Sequence, residues 1–243
     1  MANVTAMMTT SWDDGHPCDL KLGGLLDKYG LTGTFYIPVR GRQEILSASQ
    51  VRSLSVRFEV GCHTINHVSL TDVDEVTARA EINDCRPVIE DWTGRACKMF
   101  CFPQGQFSRR HVRMLQQAGY AGCRTVEFLS LSPPRQVEGV RVMPTTIQAF
   151  PHSVSDFLRN GAKRMAPRAI WRCLRYRPDH DWVLAAERLL EATAACGGVF
   201  HLWGHSWEID GLNLWSQLES VLSAMAGARG RIRCVTNGEV CSR

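Results

Sequence analysis

The chain has 243 residues, 44% hydrophobic and 21% charged, with 20 glycines and 10 prolines. This composition excludes a disordered or collagen-like chain and fits a globular protein, long enough for one large core or two small domains. The formal charge of +4 is mild and, as an average, names no partner. Residues 5–11 read as a strand ending in the turn DDGHP. Apolar spacing through Leu20, Leu22, Leu25 and Leu26 predicts a helix that stops at Gly30. GTFYIPV (33–39) has the β-branched and aromatic content of a buried strand, and a short helix from Ser47 leads to a third strand, RFEVGCH (57–63). A long helix is expected over 71–92, capped by Thr71 or Asp72. KMFCFPQG (98–105) is a fourth strand, and Ser108 caps a helix running to Gly119. YAGCRT (120–125) and VRVMPTT (140–146) are further strands, separated by a loop with Pro133 and Pro134. A basic helical region covers 154–176, interrupted or restarted at Pro167, and Asp179 or Asp181 caps a helix to Cys196. VFHLWGH (199–205) is a strand, 213–226 a helix and RIRCVT (231–236) a last strand.

Strand–helix alternation repeated in this way argues for a parallel sheet with helices outside it. No Gly-x-Gly-x-x-Gly or P-loop signature follows any strand, which weakens a doubly wound nucleotide-binding reading. Polar residues gather at the C-terminal ends of several strands, where a barrel builds its active site. The expectation is an α/β fold: a distorted (β/α) barrel of about seven parallel strands with outer helices, in one domain over residues 1–243.

The ten cysteines include no Cys-x-x-Cys pair, and a chain of this length needs no disulfide staples, so they read as buried reduced thiols. The N-terminal MANVTAMMTT lacks a basic segment followed by a long apolar run. No stretch reaches the roughly 18 consecutive apolar residues of a membrane span. The expected compartment is the cytoplasm.

Strand ends deliver Asp13 and Asp14, then His63 and His67, then Phe102-Pro103-Gln104-Gly105, then His205. Adjacent carboxylates resist joint ionisation when buried, and a metal ion removes the conflict if one binds it and the other acts nearby as a base. His63 and His67, spaced i, i+4, share a face on a helical turn and can bind one ion. Two histidines and a carboxylate leave positions open for water, as a catalytic site requires. An isolated Asp-Asp-Gly is more often a turn, and a lone His-x3-His more often core or surface. Their joint occurrence in this order carries the weight.

TTSWDDGH, EVGCHTINH, CFPQGQFS and VFHLWGHSWE, in this order over residues 9–208, resemble the motifs of the polysaccharide deacetylases, the carbohydrate esterase group with chitooligosaccharide-deacetylase homology. The resemblance implies that Asp14, His63 and His67 hold a divalent metal, zinc first, with cobalt, nickel or manganese as alternatives. Asp13 would be the general base and His205 the acid that protonates the departing amine. The Gln104 N–H, in the Pro103–Gly105 segment, would stabilise the oxyanion, and Trp203 would wall the acetyl pocket. Two departures stand out. Cys101 occupies the place of an arginine that orients the catalytic aspartate. The motif that tunes the catalytic histidine has no clear match; Pro178–Trp182 is similar but reads better as a helix cap. Arg124 and Glu208 are candidates to replace the missing partners. His201 reads as a buried core residue, His16 as a turn residue, and His111, His152 and His180 as surface residues. Trp92, Trp171, Trp182 and Trp215 read as packing residues, and Trp207 as a possible stacking surface for a sugar ring.

Residues 157–177 hold seven Lys and Arg and no acid, which leaves a net −3 for the rest of the +4 chain. Such a stretch, with Phe157, Ile170, Trp171 and Leu174, packs as a solvated basic helix, meets an anionic membrane surface, or grips a phosphate-bearing substrate. Nucleic acid is not expected, since no binding motif accompanies the charge. The leading expectation is a cytoplasmic, metal-dependent hydrolase removing the N-acetyl group of an amino sugar. Its substrate would be a nucleotide- or lipid-linked precursor of glycoconjugate biosynthesis, with possible peripheral contact at the inner membrane face through 157–177. Hydrolysis of another C–N bond, in a cyclic amide or ureide, is the second reading. A non-catalytic glycan-binding relative is the third.

Overall fold

Strands and helices alternate through the first half of the computed structural model, which describes residues 5–41 and 44–242. That half runs β1 (Ala6–Asp13), α1 (Asp19–Lys28), β2 (Thr34–Ile37), α2 (Ala48–Ser55), β3 (Glu59–Cys62), α3 (Glu75–Asn83), α4 (Cys85–Thr93), β4 (Met99–Cys101), α5 (Arg109–Gln117) and β5 (Gly122–Arg124). Three short strands follow without helices between them: β6 (Arg135–Val137), β7 (Val140–Met143) and β8 (Ile147–Gln148). The chain then continues through α6 (Val154–Lys163), α7 (Pro167–Tyr176), α8 (Trp182–Cys196), β9 (Gly198–His205) and α9 (Ser206–Gly211). It ends with α10 (Trp215–Gly227), β10 (Arg233–Cys234) and α11 (Asn237–Cys241).

The strands form one curled sheet in the order β6-β7-β5-β4-β3-β2-β1-β9-β8, with β10 added against β1. Every ladder is parallel except the β6–β7 hairpin. β9 lines one edge of β1 throughout, from Ala6↔Gly198 to Asp13↔His205, while β10 and β2 share the opposite edge. The expected distorted α/β barrel is therefore present as a half-barrel, with ten strands among the described residues rather than about seven. β6 is three residues long and mostly exposed and β8 is two residues long, too short for either to show a period in sequence.

Two helices replace the single one expected over 71–92. α3 is capped by Asp74, which accepts from Thr77 N at 2.8 Å, rather than by Thr71 or Asp72. The break at Asp84 places Pro87 in the first turn of α4, where its missing N–H leaves no intrahelical bond unmade. Pro167 opens α7, and Asp181 caps α8 through Leu184 N at 3.0 Å. α9 and α11, five or six residues each, have no counterpart in the sequence reading.

Alternation along the strands sorts the core into two faces. Met8, Trp12, Phe35, Phe100 and Phe200 point outward and pack beneath the helices. Met7, Tyr36, Met99, Cys101, Met143 and Val199 point into the curl, where Val240 and Cys241 of α11 join them. Asn237 plugs that end: its N–H donates to Thr34 Oγ1, its Nδ2 to the Tyr36 hydroxyl, and its Oδ1 accepts from Thr9 Oγ1, all at 2.9–3.0 Å. With the N-terminal end closed, the inward positions 11 and 13 of β1 and 203 and 205 of β9 open toward the carboxyl ends of the strands. Seven of the ten cysteines are buried and none forms a disulfide. Among the described residues no helix is long and apolar enough to cross a membrane.

Candidate active site

The β1–β9 register sets Asp13 opposite His205, and β2 places Tyr36 on the other side of Asp13. Asp14 follows in the turn, with a positive φ of 79° and its N–H on Tyr36 O at 3.1 Å. The next strand along, β3, ends at Cys62, so His63 emerges beside the same opening. His63 and His67 do not share a helical face, as their spacing suggested. Residues 63–67 form an irregular turn with positive φ at Thr64 and His67. Glu81 of α3 clamps that turn: Oε2 accepts from Ile65 N and Asn66 N at 2.8 and 2.9 Å, and Oε1 from Asn66 Nδ2 at 2.6 Å. These bonds replace the helical ladder and still bring both rings together, with centroids 4.9 Å apart.

The donor set suits a cation. Nε2 of His67 and of His63 lie 3.0 and 3.5 Å from Asp14 Oδ1, yet that buried oxygen accepts no hydrogen bond. His63 Nδ1 meets Cys101 O at 2.8 Å, which fixes the tautomer with the proton on Nδ1 and leaves Nε2 its lone pair. Trp207 Nε1 donates to the other oxygen, Asp14 Oδ2, at 2.9 Å. Three lone-pair-bearing atoms, all within 4.8 Å of one another, fit a divalent ion, with outer partners holding the ligands in place. Asp13, His63 and Cys101 form an overlapping group. There burial drives the Cys101 thiol well above its ordinary pKa, and Asp13 is committed to an arginine, so the Asp14 set is the better host.

That arginine is Arg124. Cys101 and Arg124 are register partners across β4 and β5, and Arg124 reaches from the neighbouring strand to donate Nη2 to Asp13 Oδ1. Cys101 Sγ lies 3.7 Å from Asp13 Oδ2. The guanidinium is fully buried, lies 4.6 Å from the Trp203 ring centroid and 5.5 Å from that of Tyr36, and leaves Nε and Nη1 without acceptors. Burial alone raises the Asp13 pKa, but the charges of Arg124 and His205 help to outweigh it and hold the carboxyl below its ordinary value.

His205 Nε2 lies 3.9 Å from Asp13 Oδ2 and 4.0 Å from Asp14 Oδ2. Its Nδ1 meets Glu208 Oε2 at 2.6 Å, one turn along the backbone in α9. Burial pushes the His205 pKa down, but Glu208, Asp13 and Asp14 carry it up to about 9. Gln148 donates to Glu208 at 2.9 Å, and His152 Nε2 meets Gln148 Oε1 at 2.8 Å, which extends the chain of contacts to a ring packed among Phe128, Phe150 and Phe157.

His201 is buried and hydrogen-bonded to Ser11 and Pro144 O, with a pKa lowered to about 3, chiefly by burial. His180 is exposed, as expected. His111 and His152 are not the surface residues their sequence setting suggested. His111 is buried and receives Ser108 N in the α5 cap, and His152 lies in the aromatic cluster. Pro103, Gln104 and Gly105 form a tight turn directly after β4, with Gln104 and Gly105 at positive φ. A Cβ at Gly105 would stand 2.1 Å from Val126 Cγ2, so glycine is required there. Trp203 lies under His205, its ring centroid 5.7 Å away. The sequence reading missed Glu81, Gln148 and the Trp207–Asp14 bond. Only Trp207, two residues after His205, carried a signal that could have found it.

The arrangement has the fold of known deacetylase half-barrels. A Mycobacterium smegmatis protein described as a polysaccharide deacetylase is similar over 100% of this chain and 91% of its own, with TM-score 0.70 and 16% identity. The Bc1960 peptidoglycan N-acetylglucosamine deacetylase matches over 98% and 89% (TM-score 0.58, 14% identity), and a family 4 carbohydrate esterase from Streptomyces lividans over 95% and 90% (0.52, 15%). At these identities the likeness is one of fold. No curated protein matches the sequence. Residues 4–123, just under half of the chain, match the family described as polysaccharide deacetylase. Members of that family are metal-dependent hydrolases that act on the N-acetyl groups of acetylated saccharides.

Proposed function

We propose that the protein is a zinc-dependent hydrolase that removes the N-acetyl group of an amino sugar in a saccharide precursor. The observation that carries this reading is one opening shared by three groups: the Asp14–His63–His67 donor set, the Asp13–Arg124 pair and the His205–Glu208 pair. Asp14, His63 and His67 would hold the ion. When bound, it supplies Lewis acidity to the amide carbonyl and to water.

The chain's own residues divide the proton chemistry. Asp13, kept ionised by Arg124, uses Oδ2 to take a proton from the attacking water. The water oxygen joins the carbonyl carbon, the Gln104 N–H donates to the developing oxyanion, and Trp203 walls the methyl group. His205, held at Nδ1 by Glu208 and protonated at neutral pH, gives the Nε2 proton to the nitrogen as the C–N bond breaks. The products are acetate and a free amine. Arg124 and Glu208 would supply the two partners that the motifs lack. The test is acetate release across N-acetyl amino sugars and their conjugates. Release that a chelator abolishes and zinc restores is expected; release from cyclic amides or ureides alone would refute the reading.

A further inference from the structure

The basic segment does not form a uniformly solvated face. α6 and α7 enclose, with the chain after β5, a cavity of about 360 Å³ lined by Arg135, Arg164, Arg168, Arg172, Phe128 and Asn160. One acid, Glu127, faces these four arginines. It takes Arg135 at 2.8 and 2.5 Å and Arg164 at 3.2 Å. Among the described residues Arg168 and Arg172 have no acidic partner. Arg172 Nη1 is held along the wall by Leu129 O at 2.7 Å. Arg164 Nε is buried with no acceptor. α7 begins at this cavity without a side-chain cap and without an acid in its first turn, so the positive end of its dipole adds to the arginine charge.

We infer that this cavity is a phosphoryl-binding subsite, which takes the phosphate or diphosphate of the substrate whose N-acetyl sugar lies over Asp13 and Asp14. The inference rests on the deacetylase reading above for its second half only. Three arginines in excess of the single acid leave an uncompensated positive charge in a partly buried space, and guanidinium forks match phosphate oxygens in pairs. Burial and the neighbouring cations, Arg135 for Arg164 and Arg168 for Arg172, already press the pKa values of these two groups down, a cost that a bound anion would relieve. Phe128 joins the cavity to the active site. It lines the cavity, its ring stacks on Trp203 with centroids 6.0 Å apart, and Trp203 lies under His205. Asn160 pins this connection, accepting from Phe128 N at 3.2 Å and donating to Val126 O at 2.9 Å. A sugar at the carboxylates and a phosphate among the arginines would thus lie on either side of one aromatic wall. The larger cavity beside α8, lined by Asp179, Asp181, Trp182 and Gln217, contains none of the active-site residues and no arginine.

The test measures binding without turnover. Inorganic pyrophosphate is titrated calorimetrically into the full-length protein and into the Arg168→Glu/Arg172→Gln variant. The variant is expected to bind roughly tenfold or more weakly, the loss of at least one charge-assisted contact, with a cooperative melting transition retained and Tm lowered only by the Arg172–Leu129 O bond it gives up. A His63→Ala/His67→Ala variant is expected to keep pyrophosphate binding, since the anion is not held at the donor set. Two competitors give the source of the phosphoryl group. Displacement by a uridine diphosphate-linked N-acetyl sugar identifies a soluble carrier, and displacement only by vesicles containing a polyprenyl diphosphate lipid identifies a membrane-borne one. Equal pyrophosphate binding by the wild type and the arginine variant, or loss of binding only in the histidine variant, would overturn the subsite. Arginine-dependent binding without acetate release from any N-acetyl sugar would leave the subsite standing and refute the deacetylase reading.

Discussion

Replacing Arg124 by methionine removes the charge that faces Asp13 while keeping most of the side-chain volume. Both groups are buried, with side-chain exposures of 0% and 4%. Deleting one partner of such a pair leaves the other charge uncompensated and costs about 3–5 kcal/mol. In a chain of this size, that is a fall in Tm of roughly 6–20 °C at about 2–4 °C per kcal/mol. Asp13→Asn in the same background removes the stranded charge, so Arg124→Met/Asp13→Asn should be more stable than Arg124→Met alone. Thermal denaturation of the four species gives the coupling as a double-mutant cycle. Acetate release by Arg124→Met should fall, with the acid limb of its pH profile moved upward, because Asp13 loses the cation that holds its pKa down. Adding Cys101→Arg to Arg124→Met should restore part of the activity, since Cys101 Sγ already lies 3.7 Å from Asp13 Oδ2. Strictly additive effects of Arg124→Met and Asp13→Asn on Tm would refute the reasoning.

Glu208→Gln removes an anion that raises His205, whose pKa is carried up to about 9. The acid form is lost as pH rises through that value, so the alkaline limb of kcat should move to lower pH in the variant, by about 1–3 units for an adjacent charge; an unmoved limb would exclude His205 as the acid. Trp207→Phe deletes the 2.9 Å bond to Asp14 and should weaken metal affinity by about 10–100-fold, as measured by competition with a chelating dye. Asp19 is fully buried, both its carboxylate oxygens lack hydrogen bonds, and burial pushes its pKa well above the ordinary carboxyl value. A raised folded-state pKa means that the carboxyl costs stability once pH exceeds its unfolded value of about 3.9. Asp19→Asn should therefore melt higher than the wild type at pH 7, with the gain vanishing below about pH 4; a lower Tm at pH 7 would contradict this account.

The half-barrel was legible because parallel strands buried on both faces read as short β-branched and aromatic runs between helical periods. β8 and α11 were not, since two to five residues are set by tertiary pairing rather than by their own pattern. The opening that gathers Asp13, Asp14, His63, His67 and His205 was legible as residue types at strand ends, but not the way they meet. The His63–His67 spacing suggested a helix, whereas Glu81, 14 residues on from His67, supplies the hydrogen bonds that hold a non-helical turn. The missing arginine shows the same limit. Cys101 looks like a loss along the chain, and only the β4–β5 register reveals that position 124 stands beside it and sends a guanidinium to the same carboxylate.

The central claim is that Asp13 acts as a base beside a metal held by Asp14, His63 and His67. Its most direct measurement pairs metal content with acetate release in Asp13→Asn and in Asp14→Asn. Asp13→Asn should retain one divalent ion per chain and lose acetate release from an N-acetyl amino sugar, whereas Asp14→Asn should lose both. Acetate release that persists in Asp13→Asn, or in protein stripped of metal, would contradict the account.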